Sequence, residues 1–334
     1  MIELLSELSR AFGPSGEEER VAALVRRRVR AHVDSVAPDI MGNLVARRPG
    51  KGARVMIAAH MDEIGLVLSH VDARGFARFS NIGGLRVDNL ATQRVRLADG
   101  RVGVVMEEER GNKDDRKIDR MYVDFGFATA AEARKHVKVG DVACFDREPV
   151  ELGGRFIGKA MDDRVSCAVL IEAARRLKKS PNDVAFVFTV QEEVGCRGAQ
   201  PAAFALDPDV ALSVDVTLTG DLPECRPMSV ELGGGAAIKV KDGGHIGHPK
   251  VRDLMVRLAR REKIRHQMEV LALEGASTDA SSIHRVREGV PSGCLSIPCR
   301  YVHTVNEMVD LKDVEAAVRL LVAFLETDLR KEGF

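Results

Sequence analysis

Tryptophan is absent from the 334 residues and tyrosine occurs only twice, so the chain lacks the aromatic platforms on which nucleic-acid binders stack unpaired bases. It has no net charge either: 50 Lys and Arg balance 50 Asp and Glu, leaving no bulk field to recruit nucleic acid or an anionic membrane surface. No stretch is apolar enough for a transmembrane helix. The acidic, interrupted start Met1-Ile2-Glu3-Leu4-Leu5-Ser6-Glu7 has neither the positive flank nor the apolar centre of a signal peptide. Six cysteines follow no CxxC spacing, which argues against a zinc ribbon or a disulfide framework and makes reduced thiols in the cytoplasm the expectation. What is left is a globular chain with length for about two ordinary domains.

The apolar pattern divides that chain unevenly. Ser15-Gly16-Glu17-Glu18, after the Gly13-Pro14 break, has the spacing of a capping box and predicts a helix through Val25 or beyond. Its arginines, Arg26-Arg27-Arg28-Val29-Arg30, read as a solvated face. From 66 to 156 short alternating runs such as Val102-Gly103-Val104-Val105 predict a small β-rich insert, with an exposed charged loop over 107–115. After Ala160, helices are predicted over 165–177, 199–206 and 251–263, and strands over 184–190, 210–216, 236–240, 268–273 and 294–297. A final helix is capped by Asp310, with Val314, Val318, Leu321 and Leu325 on one face. Such alternation predicts an α/β fold whose largely parallel sheet is sandwiched by helices.

Five polar clusters fall at strand ends or loops: His60-Met61-Asp62, Asp162-Asp163, Glu192-Glu193, Asp215 and His303. Each alone is more often a cap or a satisfied core group than a site. Together, two histidines and several carboxylates form a mixed N/O donor set suited to Zn²⁺, Co²⁺ or Mn²⁺, as dinuclear hydrolytic centres require. In an extended His60-Met61-Asp62 the outer two side chains share a side, so Asp62 can orient the His60 ring. Asp215 follows an apolar run within a predicted strand, where an unpaired carboxylate is costly and a cation removes the cost.

Other motifs fail on chemistry. Gly153-Gly154-Arg155-Phe156-Ile157-Gly158-Lys159 begins like a phosphate-binding loop, but Ala160 replaces the Mg²⁺-binding hydroxyl. His245-Ile246-Gly247-His248 lies too late in the chain for a synthetase signature and reads as a loop. Gly233-Gly234-Gly235 reads as a turn, and Cys196 as a small buried thiol with no nearby histidine in sequence to activate it.

At the polar clusters the chain resembles the M42 family of dinuclear metallo-aminopeptidases. The matching stretches are Ala59-His60-Met61-Asp62-Glu63-Ile64-Gly65, Gly158-Lys159-Ala160-Met161-Asp162-Asp163-Arg164, Gln191-Glu192-Glu193-Val194-Gly195-Cys196-Arg197-Gly198-Ala199, Ser277-Thr278-Asp279-Ala280 and Pro298-Cys299-Arg300-Tyr301-Val302-His303. The resemblance implies two divalent metals, bridged by Asp162. His60 and Asp215 would complete one site, Glu193 and His303 the other. Glu192 would be the general base toward the attacking water and Asp62 the orienting partner of His60. It also implies a catalytic domain of residues 1–65 and 157–334, interrupted by a PDZ-like dimerisation domain, 66–156. Dimers would build a tetrahedral dodecamer acting on short peptides. Ser277 stands where relatives usually carry Gly. A deacylase or carboxypeptidase is the alternative on the same fold; a glycosidase using the glutamate pair is the more distant one.

Overall fold

The computed structural model describes residues 1–109, 117–273 and 275–334. The charged loop expected over 107–115 lies mostly outside the described residues. Four nearly unbroken apolar runs, Asp183–Thr189, Arg54–His60, Val210–Thr217 and Ser292–Arg300, lie side by side as parallel strands. They are apolar throughout because both faces are covered, and every residue of Val210–Thr217 is buried. Successive side chains go to opposite faces. Val55, Ile57 and Ala59 join the main core with the helices Met161–Arg176 and Leu311–Glu326, while Met56 and Ala58 pack in a second core with Ala199, Ala203 and Ile283.

The sheet is mixed rather than largely parallel. Ser35–Pro38 and Leu44–Arg48 extend one margin antiparallel; Glu307–Asp310, Arg155–Gly158 and Val150–Leu152 extend the other. Ala236–Lys241 pairs antiparallel with Ser292–Arg300 and parallel with His266–Val270. The strands at the two margins are short and several are polar, so they leave at most a brief apolar run to read. Short connections also force antiparallel pairing, since a parallel return needs a crossover of a dozen or more residues. Gly153 and Gly154, at φ 58° and 87°, make one such hairpin, so the phosphate-loop lookalike is a turn between antiparallel strands.

Between Gly65–Val71 and Val142–Phe145 six strands close into an antiparallel barrel. Its alternating runs put Leu66, Leu68, Phe79, Val95, Val105 and Val123 inside. A short helix, Ala130–His136, capped by the Thr129 hydroxyl, was not expected. Residues 150–158 hydrogen bond into the large sheet, so the segment 150–156 belongs there and not to the barrel. The expected capping box does not form: the helix begins at Glu19, because the Ser15 hydroxyl donates to Asp62 and Glu18 accepts from the Gly16 and Gln191 N–H groups. The cap at Asp310 does form, on the Lys312 N–H at 2.9 Å.

Candidate metal centre

Open α/β sheets expose their ligand sites beyond the carboxyl ends of the parallel strands, and the polar clusters gather there. His60 is the last residue of its strand. The neighbouring ladder pairs Ser213 with Ala58, so two residues on Asp215 stands level with His60. Asp162 lies at the start of Met161–Arg176, where Asp162 and Asp163 depart from helical φ/ψ and share a cis peptide bond. His303 follows Ser292–Arg300 in a turn, at φ 62°. The glutamates lie further along than expected. Their strand stops at Thr189, Gln191 turns the chain at φ 57°, and the turn, not strand alternation, sends Glu192 and Glu193 apart.

Donor atoms of His60, Asp162 and Asp215 lie within 4.8 Å of one another, as do those of Asp162, Glu193 and His303. Asp162 belongs to both groups and aims one oxygen at each. Its Oδ1 is 3.0 Å from His60 Nε2 and its Oδ2 is 3.3 Å from His303 Nε2. Glu193 Oε2 is also 3.3 Å from His303 Nε2, and Glu192 Oε2 lies 3.8 Å from His60 Nε2. The adjacent Asp163 points elsewhere and accepts the backbone N–H of His60 at 3.2 Å.

The surrounding groups hold these side chains by both ends. His60 Nδ1 faces the Asp62 carbonyl oxygen at 3.2 Å and its carboxylate at 3.3 Å. The same carboxylate accepts the backbone N–H groups of Glu192 and Glu193 at 3.0 and 3.1 Å, tying the ring to the glutamate turn. His303 Nδ1 is 2.9 Å from the Gly84 carbonyl of the barrel. Buried Glu307 accepts the N–H groups of Asp162 and His303 at 2.9 and 2.7 Å. Beneath them Glu63 pairs with Lys159 and Arg164 at 2.6 and 3.2 Å, and Arg164 donates to the carbonyls of Met61, Leu8 and Gly13.

The electrostatics call for positive charge. Burial pushes Glu192 well above the usual carboxylate range against the pull of His60, with Asp215 and Asp279 adding repulsion. Burial raises Glu193 and Asp215 too. It disfavours charge on the imidazoles, yet Asp162 and Asp62 hold His60 well above its ordinary value, and Glu193 with Asp162 pushes His303 up to about 12. Burial also opposes charge on Asp162, which His303 and His60 nevertheless hold below the usual range. Carboxylates this close cannot all ionise without cations among them, and the N/O donors fit Zn²⁺, Co²⁺ or Mn²⁺. The residues therefore suit a metal pair.

A cavity of about 720 Å³ opens onto Asp162, Glu192, Glu193, Asp215 and His303, with Leu218, Leu271 and Leu273 in its lining. Sequence reasoning missed Glu307 and Gly84, which carry no local signal because their partners are distant in sequence, and it read Ser15 as a helix cap rather than as a partner of Asp62. It quoted Glu63, Lys159, Arg164 and Asp279 within matching stretches but gave them no role.

A parallel-centred α/β sheet with two overlapping His and carboxylate groups at its carboxyl edge has the donor arrangement that metallohydrolases use. The chain belongs to the M42 glutamyl aminopeptidase family, whose profile matches residues 42–320. A relative from Acetivibrio thermocellus, provisionally named as an aminopeptidase, is 46% identical over 323 residues, 96% of this chain and 97% of its own. Aminopeptidase APDkam598 from the archaeon Desulfurococcus kamchatkensis superposes with a TM-score of 0.92 at 42% identity, over 97% of this chain and 94% of its own. The Pyrococcus horikoshii TET1 peptidase, described as assembling into a tetrahedron or a large octahedral shell, gives 0.87 at 30% identity over 97% and 98%.

Proposed function

We propose that this protein is a metal-dependent aminopeptidase that releases N-terminal residues from short peptides. The observation that carries the reading is Asp162, whose two oxygens face different imidazoles within two donor groups. Asp162 would serve both cations, with His60 and Asp215 completing one set and Glu193 and His303 the other. Zn²⁺ or Co²⁺ suits the donors best, with Mn²⁺ a further candidate. When bound, the cations polarise the peptide carbonyl and acidify the attacking water.

The protein's own groups do the rest. Glu192 reaches His60 only at 3.8 Å and belongs to neither two-cation donor group, so its carboxylate is free to take a proton and return it to the leaving amine. Burial, by raising its proton affinity, suits it to that exchange. Asp62 fixes the His60 ring and the glutamate turn together. Glu192→Gln is expected to lower kcat by about 100-fold or more while metal content stays intact. Turnover at the wild-type rate overturns the assignment. A panel of free, N-acetylated and C-amidated peptides tests the substrate class, since a requirement for the free α-amine separates an aminopeptidase from a deacylase or carboxypeptidase.

The same reading divides the chain into a cytoplasmic catalytic unit, 1–65 and 150–334, and an inserted PDZ-like dimerisation unit, 66–149. The tetrahedral or octahedral shells described for the Pyrococcus horikoshii peptidase support a homo-oligomer, and for this chain the proposal is dimers that build a tetrahedral dodecamer. Exposed Val102, Val104 and Met106 on one barrel strand supply apolar surface suited to such a contact.

A further inference from the structure

Glu192 has a second oxygen, and it faces away from the paired donor groups. Its Oε1 accepts the Cys196 thiol at 3.2 Å. The tight turn 192–196, closed by the Gly195 and Cys196 N–H groups on the Glu192 carbonyl, brings the cysteine back against the glutamate. Asp279 approaches from another element. A donor atom of Asp279 lies within 4.8 Å of donors from both Glu192 and Cys196. Asp279 is 2% exposed and Cys196 4%. One Asp279 oxygen accepts from Thr189 at 2.6 Å, whereas the other, Oδ1, is buried with no partner among the described residues. A carboxylate oxygen left so at this depth is costly unless a cation or a donor reaches it. Glu192, Gly195, Ser277 and Thr278 all line the cavity that opens onto the paired donor groups, so an ion can arrive from that side.

We infer that Glu192, Cys196 and Asp279 form a third cation site, one that takes a thiophilic divalent ion and arrests turnover by capturing the general base. The inference rests on Glu192 being that base. Two carboxylates and one thiolate suit Zn²⁺ in excess, or Cd²⁺, whereas Mg²⁺ and Ca²⁺ prefer all-oxygen sets. Filling the site forms a bond from the metal to Sγ and releases the thiol proton to solvent, with no change of oxidation state. The Ser277 and Ser281 hydroxyls, 3.9 and 3.7 Å from Sγ, remain to solvate the thiolate. The ion holds the Glu192 carboxylate and neutralises it, so the proton it must accept finds no base.

The test is a Cd²⁺ titration of the protein reconstituted with Co²⁺, following the ultraviolet cadmium–thiolate charge-transfer band, metal per subunit, and turnover. Neither paired donor group contains sulfur, so the band reports this site. The expected result is a band that saturates with one additional ion per subunit while turnover falls by about 100-fold or more, as blocking a positioned base requires. Cys196→Ser and Cys196→Ala are each compared with their own cadmium-free rate, and both should lose the band and the arrest. Cys225, the one cysteine of the six that is not buried, gives the control: Cys225→Ser should keep both. A band absent from the wild type, or surviving in the Cys196 variants, overturns the site. Cadmium bound with a full band and unchanged turnover overturns the arrest. Failure of the underlying reading shows separately, as a Glu192→Gln variant that still turns over.

Discussion

Replacing Asp62 with Asn removes one acceptor from a carboxylate that is engaged on both oxygens. Oδ1 accepts the Glu192 N–H at 3.0 Å and faces His60 Nδ1 at 3.3 Å; Oδ2 accepts the Glu193 N–H at 3.1 Å and the Ser15 hydroxyl at 2.6 Å. An amide puts an NH₂ in one of those places, so whichever way it turns a donor meets a donor. Ser15 can rotate its hydroxyl away, but a backbone N–H cannot move without moving the turn. One buried N–H therefore loses its acceptor, at about 1–3 kcal/mol. With about 1.4 kcal/mol to a factor of ten, and with His60 and the glutamate turn sharing the disturbance, metal affinity is expected to fall about 10- to 100-fold. The assay is competition with a chelator of known affinity, with kcat read at saturating metal, where misplacement of Glu192 should also appear. Affinity and kcat both unchanged, in a variant that melts as the wild type does, refute the argument that Asp62 couples the His60 ring to the glutamate turn.

Gly84→Ala places a Cβ 2.7 Å from His303 Nδ1, inside any normal contact, so the ring must shift. The expected result is loss of one of the two metals by elemental analysis, with the His60 set retained. Away from the centre, burial and the facing His284 lower His245 to about 4 from an ordinary 6.5, so it stays neutral in the fold. Below pH 6.5 the unfolded chain takes up a proton that the folded one refuses, and stability is therefore lost as pH falls from 6.5 toward 4. At 1.36 kcal/mol per unit the loss is about 3 kcal/mol, measured by urea titration across that window, and His245→Gln should flatten it.

The central fold was readable because two-sided burial demands long apolar runs, and Val210–Thr217 or Ser292–Arg300 cannot be hidden in a sequence. The margins were not readable. Leu44–Arg48 and Glu307–Asp310 are only five and four residues long, and although Leu44, Ala46 and Val309 enter the core, so few apolar positions make no run that stands out from a loop. The capping box at Ser15 shows the same limit from the other side. Its spacing is correct, but a carboxylate 47 residues away competes for the hydroxyl, and no local rule can include that competitor.

The candidate site divides along the same line. By itself the sequence marked the candidate donors: His60, Asp162, Glu192, Glu193, Asp215 and His303 each follow an apolar run or open a helix, and their donor types suit a divalent transition ion. Only the tertiary structure decided how they combine. Strand register set Asp215 level with His60, and the turn after Thr189 parted Glu192 from Glu193. Groups from remote elements, buried Glu307 and Asp279 and the exposed Gly84, closed around them. The reason is physical. Burial and donor type are properties of a residue and its near neighbours, whereas hydrogen-bond partners and like-charge proximity exist only once the chain has brought distant segments within a few ångströms.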